Sequence, residues 1–110
     1  MRLGVFTVLF GRKPFEEMLD YVVDLGIEAV EIGTGAYPGD AYCKPGELLA
    51  SGKKLKAFKQ AITRRGLTIS ALSCHGNPLH PQKKRADADH RVFADTLQLA
   101  KELDVETVIT

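Results

Sequence analysis

His75 and His80 stand in one run, Ser73-Cys74-His75-Gly76-Asn77-Pro78-Leu79-His80-Pro81, directly behind an aliphatic stretch. An imidazole can ligate a metal, carry a proton or donate to a substrate hydroxyl. Gly76 permits close backbone approach, and Pro78 and Pro81 restrict the loop, which would hold both rings in place. The competing reading is a pair of histidines bonded only to their own loop. Glu31 is the second candidate. Val30 and Ile32 flank it, so on a strand they share one face and Glu31 takes the other. In a barrel the outer face of a strand packs on helices, which sends Glu31 to the interior. A carboxylate there must be paired or hydrogen-bonded, either to a ligand or within an ion pair that fills the barrel.

Other residues carry weaker signals. Tyr37, Asp40 and Tyr42 lie in a loop rich in Gly, Pro and Tyr and could line a sugar pocket; each also suits an ordinary loop. The run Gly33-Thr34-Gly35-Ala36-Tyr37-Pro38-Gly39 lacks the third glycine of a dinucleotide loop and no helix opens directly behind it, so nucleotide binding is rejected. Cys74 has no base placed to activate it and reads as packing. His90 reads as exposed or as a local capping partner. Lys53, Lys54, Lys56, Lys59, Arg64 and Arg65, and then Lys83, Lys84 and Arg85, form two basic clusters; interleaved acids make them solvated outer faces rather than a phosphate track.

The elements that position these residues repeat. A helix ends, a sharp stop follows, and an aliphatic strand begins, at Gly26, Gly66 and Asp104, which are 40 and 38 residues apart. That period suits βα units and a parallel sheet covered by helices. The pattern predicts strands over Arg2–Thr7, Glu28–Ile32, Leu67–Cys74 and from Val105. Three helices are expected. The first follows Pro14, with Phe15, Met18, Leu19, Val22 and Val23 as its apolar stripe. The second runs from near Glu47 or Ser51 to Arg65, with Leu55, Phe58 and Ile62 inside. The third covers Asp87–Leu103, with Val92, Phe93, Thr96, Leu97, Ala100 and Leu103 facing in. The long loops follow strands 2 and 3 and the return connections are tight. In parallel α/β folds ligands bind at the ends that carry the long loops.

The 110 residues suffice for one small domain but fall far short of a complete (β/α)₈ barrel, which takes roughly 250. Apolar content of 45%, charged content of 26% and a net charge of +1 are ordinary for a globular chain and call for no electrostatic partner. Two cysteines form no disulfide framework or metal spacing. A reducing, cytoplasmic setting is expected, with no signal peptide and no membrane span.

The stretch Leu67 to Pro81, with its HGNPLHP run, resembles the third-strand region of sugar phosphate isomerase/epimerase proteins, members of the xylose isomerase-like barrels also called the AP endonuclease 2 superfamily. The resemblance extends to Val30-Glu31-Ile32-Gly33, Gly39 to Pro45, Asp89-His90, Phe93, Thr96, Leu99-Ala100 and Val105 to Thr110, and so covers nearly the whole chain. One departure is Tyr42, where relatives of this type often carry His. The resemblance implies an α/β fold, the N-terminal half of a (β/α)₈ barrel, with residues 1–110 a partial barrel domain of about four parallel strands and three helices. It implies a metal-dependent sugar or sugar-phosphate isomerase or epimerase working through an enediolate. A divalent metal (Mn, Mg, Co or Zn) is expected in the full-length barrel, with Glu, Asp, His and Glu ligands on later strands beyond Thr110, where the catalytic acid and base are also expected. What maps here is a substrate-binding set: Glu31, His75, His80 and Tyr42. The chain alone is expected to be inactive and to hold no metal. The alternatives are an AP endonuclease-like DNA repair enzyme and a non-catalytic half-barrel.

The expected partner is a small sugar or sugar phosphate, not nucleic acid and not a membrane. An open half-barrel leaves strand edges and an inward apolar face unpaired, so the isolated chain is expected to self-associate or aggregate. Sedimentation measures this: a well-folded monomer at high concentration would contradict it.

Overall fold

The computed structural model describes residues 1–110. In chain order it contains β1 (Gly4–Phe6), a 3₁₀ turn (Thr7–Phe10), α1 (Phe15–Asp24), β2 (Ala29–Gly33), α2 (Pro45–Ala50), α3 (Gly52–Thr63), β3 (Thr68–Ser73), α4 (Lys83–Glu102) and β4 (Val108–Ile109). The four strands form one parallel sheet in the order β1-β2-β3-β4. This is the strand order of half a (β/α)₈ barrel.

The sheet separates two environments. Val30 and Ile32 of β2 and Leu72 of β3 are fully buried, in one cluster with Met18, Leu19 and Val22 of α1, Phe58 and Ile62 of α3, and Leu99 and Leu103 of α4. The helices therefore cover one face. The other face carries Phe6, Glu31 and Ala71 in one row and Gly33, Ser73 and Ile109 in the next. A register shift at Val30/Glu31 leaves Ser70 unpaired. That extra residue lets both Ile69 and Leu72 reach the helix layer. The inner face was expected to be apolar. It is small and polar at its centre, with Phe6 and Ile109 only at the margins.

The three helix stops share one geometry. Ile27 N–H reaches the Val22 carbonyl, Leu67 N–H the Ile62 carbonyl and Val105 N–H the Ala100 carbonyl, at 3.2, 3.3 and 2.9 Å. Gly26 and Gly66 precede these bonds with φ of 78° and 73°, and Asp104 takes the same left-handed turn at 56°. Each is a Schellman stop, with an apolar residue just beyond it. Arg65, beside the second stop, donates from Nε to Asp20 at 2.7 Å and joins α3 to α1. That bond holds the Asp20 carboxyl below its ordinary range. Phe15 and Phe58 stack between the same helices, with centroids 5.2 Å apart.

Three boundaries and the facing of two apolar residues differ from the sequence reading. The second helix is two, because Ser51 is extended and its hydroxyl accepts from Lys54 N–H to open α3. Of the two expected starts, Ser51 caps α3, while α2 begins at Pro45, ahead of Glu47, which lies in its first turn. Helix α4 starts four residues early, at Lys83, with no acid in its first turn to mark the place. Val105 belongs to the third stop, so β4 begins only at Val108. Leu97 and Val23 face solvent, at 48% and 38% exposure, while Leu99 is fully buried. No helix is long and apolar enough to cross a membrane.

The Leu97/Leu99 exchange gives a direct test. Leu99→Ala should cost about 2–5 kcal/mol by urea denaturation, and Leu97→Ala no more than about 0.5 kcal/mol. Equal losses would reverse the assigned face of α4.

Candidate functional site

Glu31 lies one row from the C-terminal end of β2, half-buried on the inner face. Its carboxylate accepts a hydrogen bond from the Ser73 hydroxyl, the last residue of β3. Its own carbonyl accepts from Thr7 Oγ1 at 3.1 Å. The alternation of Val30, Glu31 and Ile32 thus produces the orientation expected, and the satisfying partner is a neutral hydroxyl rather than a cation.

Directly beyond, a buried polar knot ties the strand ends to α4. Thr34 donates from its backbone N–H and from Oγ1 to the Ser73 carbonyl, at 2.8 and 3.1 Å. Thr34 and Thr96 hydroxyls are 2.8 Å apart. Since the single Thr34 proton goes to the carbonyl, Thr96 is the donor in that pair. Thr34, Ser73 and Thr96 are all at most 1% exposed. Cys74 lies in the same knot; burial raises its thiol pKa, and the neighbouring Thr96 and Thr34 hydroxyls partly offset this. Its reading as packing holds.

Two glycines let the loops close over this layer. A Cβ on Gly33 would lie 2.7 Å from the Gly39 carbonyl, so the loop after β2 folds back onto the strand end. A Cβ on Gly76 would lie 2.9 Å from the Asp89 side chain. Asp89 Oδ2 accepts from Asn77 N–H at 2.7 Å, and Asn77 Oδ1 accepts from Leu79 N–H at 3.0 Å. The HGNPLHP loop is therefore pinned to α4 by a carboxylate and folded on itself by an Asx turn.

The histidines take distinct places. His75 is exposed at the mouth, and its carbonyl accepts from Tyr37 N–H at 3.4 Å, joining the two long loops. His80 Nδ1 accepts from Gln82 N–H at 3.0 Å, one residue before α4. Both rings line an open cleft of about 500 Å³ with Tyr37, Asn77, Arg85 and Asp89. Glu31 lies outside that lining. A second cleft, of about 420 Å³, lies between the loop after β2, the start of α2 and α4, where Asp40 already pairs with Lys44.

Tyr42 does other work than the substrate contact expected of it. Its hydroxyl bonds to the Phe10 and Lys13 carbonyls, the latter at 2.8 Å, and its ring packs on Phe15. It fastens the loop after β1, and burial raises its pKa despite the Lys13 bond. Sequence reasoning missed Thr34 and gave Asp89 no role of its own. Gly76 was the available signal, since a glycine beside a polar loop marks a close neighbour without naming it.

No three His, Cys, Asp or Glu side chains converge in this chain. Its residues do not fit a metal centre by themselves; Glu31 and His80 act here as hydrogen-bonding groups, and the His75 ring stands without a side-chain partner.

Comparison with known proteins finds that no family model matches. The chain is 40% identical over 110 residues to the uncharacterized protein YfiH of Bacillus subtilis, covering 99% of this chain and 34% of that protein. The chain thus spans about a third of the length of the relative it matches.

Cys43 gives a test of the packing around this loop. It is 1% exposed, and burial with the nearby Asp40 charge pushes its thiol up to about 12. An unfolded thiol ionises near 8.5. The raised folded value contributes stability that is complete below that pH and is lost as pH climbs toward about 12. Urea midpoints should therefore fall through this window, and Cys43→Ala should flatten the fall. An unchanged slope would mean that the thiol meets water.

Proposed function

We propose that the chain is the N-terminal half of a sugar or sugar-phosphate isomerase or epimerase, with its substrate at the C-terminal ends of the strands. The observation that carries this reading is the Glu31 carboxylate, held by Ser73 on the inner face of a parallel sheet, beneath a mouth that presents His75. A carboxylate fixed by one neutral donor keeps acceptor positions for sugar hydroxyls. An exposed imidazole two residues beyond Ser73 adds a donor or an acceptor. These are the groups that orient a polyhydroxylated carbonyl compound.

In this reading the chain's residues bind and position. Glu31 accepts from a substrate hydroxyl, Ser73 fixes the carboxylate, and His75 bonds a second hydroxyl. Aligning the carbon next to the carbonyl in this way lowers the entropic barrier to proton removal. The proton itself moves to groups on strands that complete the barrel. The resemblance places the ligands of its divalent metal on those strands too. A reducing, cytoplasmic setting suits two buried, unpaired thiols.

The test is deuterium exchange at the carbon beside the carbonyl, in D₂O, with ketoses and ketose phosphates and the full-length protein carrying this segment. Glu31→Gln should lower kcat/KM about 10- to 100-fold, the loss expected when a charged hydrogen bond of about 1.5–3 kcal/mol is removed. Absence of exchange with every sugar tried would sink the proposal.

A further inference from the structure

We propose that the cleft between the β3–α4 loop and the first turns of α4 binds a tetrahedral oxyanion, the phosphate of a sugar phosphate, through Arg85 and His80. The placement of the sugar part rests on the function proposed above; the anion site itself does not.

The charges around the cleft are distributed unevenly. Lys83 pairs with Asp87 at 2.6 Å, yet Arg85, on the next residues of the same helix, has no carboxylate within ion-pair distance. Asp89 lies one turn further along and lines the same cleft. It makes no ion pair with Arg85; its Oδ2 accepts from Asn77 N–H instead. A guanidinium that leaves a carboxylate four residues away unpaired keeps its planar fork for another partner. That fork matches phosphate geometry with two parallel bonds.

His80 supplies the second donor. Its Nδ1 accepts from Gln82 N–H, so the ring proton sits on Nε2. The ring is thereby fixed as a donor, and Pro81 behind it limits its backbone. His75 stands on the same cleft wall with no side-chain partner. Tyr37, 89% exposed, forms the adjoining wall and offers an aromatic face. The cleft of about 500 Å³ has room for a phosphate and part of the group it esterifies. His75 bridges the two regions: it lines the cleft and lies two residues past Ser73, the partner of Glu31. A ligand anchored at Arg85 would therefore extend past His75 toward the inner face. A divalent cation is the wrong occupant, since Arg85 would repel it and no three ligand-type residues meet there. A net charge of +1 also argues against an extended polyanion such as DNA.

The experiment is an NMR titration of the ¹⁵N-labelled full-length protein carrying this segment with inorganic phosphate, fructose 6-phosphate, fructose and a short DNA duplex. Phosphate should shift the Gly76 and Asn77 amides and the Arg85 Nε signal saturably, with Kd near 1 mM, and fructose 6-phosphate should bind more tightly at the same signals. Arg85→Ala should weaken phosphate about tenfold, or about 1.4 kcal/mol. Arg85→Lys should fall between, because the fork is lost and the charge kept. Arg85 is exposed, so both variants should keep the parent spectrum elsewhere. Saturable phosphate shifts without any effect of fructose would support the anion site and count against the sugar reading. Fructose shifts at Glu31 and His75 with no phosphate effect at Arg85 would overturn the anion site and leave the sugar reading intact. Equal phosphate binding by Arg85→Ala, or tighter binding of the duplex than of fructose 6-phosphate, would also overturn it.

Discussion

The Thr34 hydroxyl lies where β2, β3 and α4 meet, between the Ser73 carbonyl and the Thr96 hydroxyl. A buried hydroxyl without partners costs roughly 1–3 kcal/mol, so this arrangement persists only if all three elements keep their relative positions. Ser73 is the shared member. Its carbonyl serves Thr34 and its side chain serves Glu31. A shift of β3 along β2 by one residue would break both bonds and turn Leu72 out of the helix layer. The orientation of Glu31, the departure point of the His75 loop and the seating of α4 are therefore one constraint rather than three.

The two faces of the sheet follow from the same constraint. On the helix side, close packing of Val30, Ile32 and Leu72 against the three long helices supplies burial, which is insensitive to direction. On the inner side there is little apolar surface, and hydrogen bonds decide which atom points where. Apolar burial and directed hydrogen bonding are thus assigned to opposite faces of the same strands. The loops belong to the second class. Gly33 admits the Gly39 carbonyl, Gly76 admits Asp89, and each approach is too close for any side chain.

Periodicity made most of the architecture legible. The three stops gave the strand count, and the apolar neighbours of Glu31 gave its face. What was not legible depended on partners distant in sequence. Thr34 and Thr96 are 62 residues apart, and neither type announces a buried pair. Tyr42 read as a sugar contact because its loop was right; its carbonyl partners, some 30 residues upstream, carry no side-chain signature. Arg85 read as part of a solvated cluster for a similar reason. Only the engagement of Asp89 by Asn77 separates it from the paired Lys83. The boundaries erred where the usual signals were missing: Lys83 opens a helix with no acid in its first turn, and Val105 closes a helix stop although its type favours a strand.

The three Schellman stops have a consequence for the order in which the chain folds. Each closes across five residues, whereas the knot at the mouth closes across 62. Loop-closure entropy grows as the logarithm of length, so the mouth costs about 2 kcal/mol more to close than a stop does. The lower ends of the units form first and independently. The mouth can assemble only after β2, β3 and α4 have docked. A ligand bridging the two loops would then act as a late clasp. Its largest kinetic effect would fall on the opening of that end, leaving the rate at which the stops form unchanged.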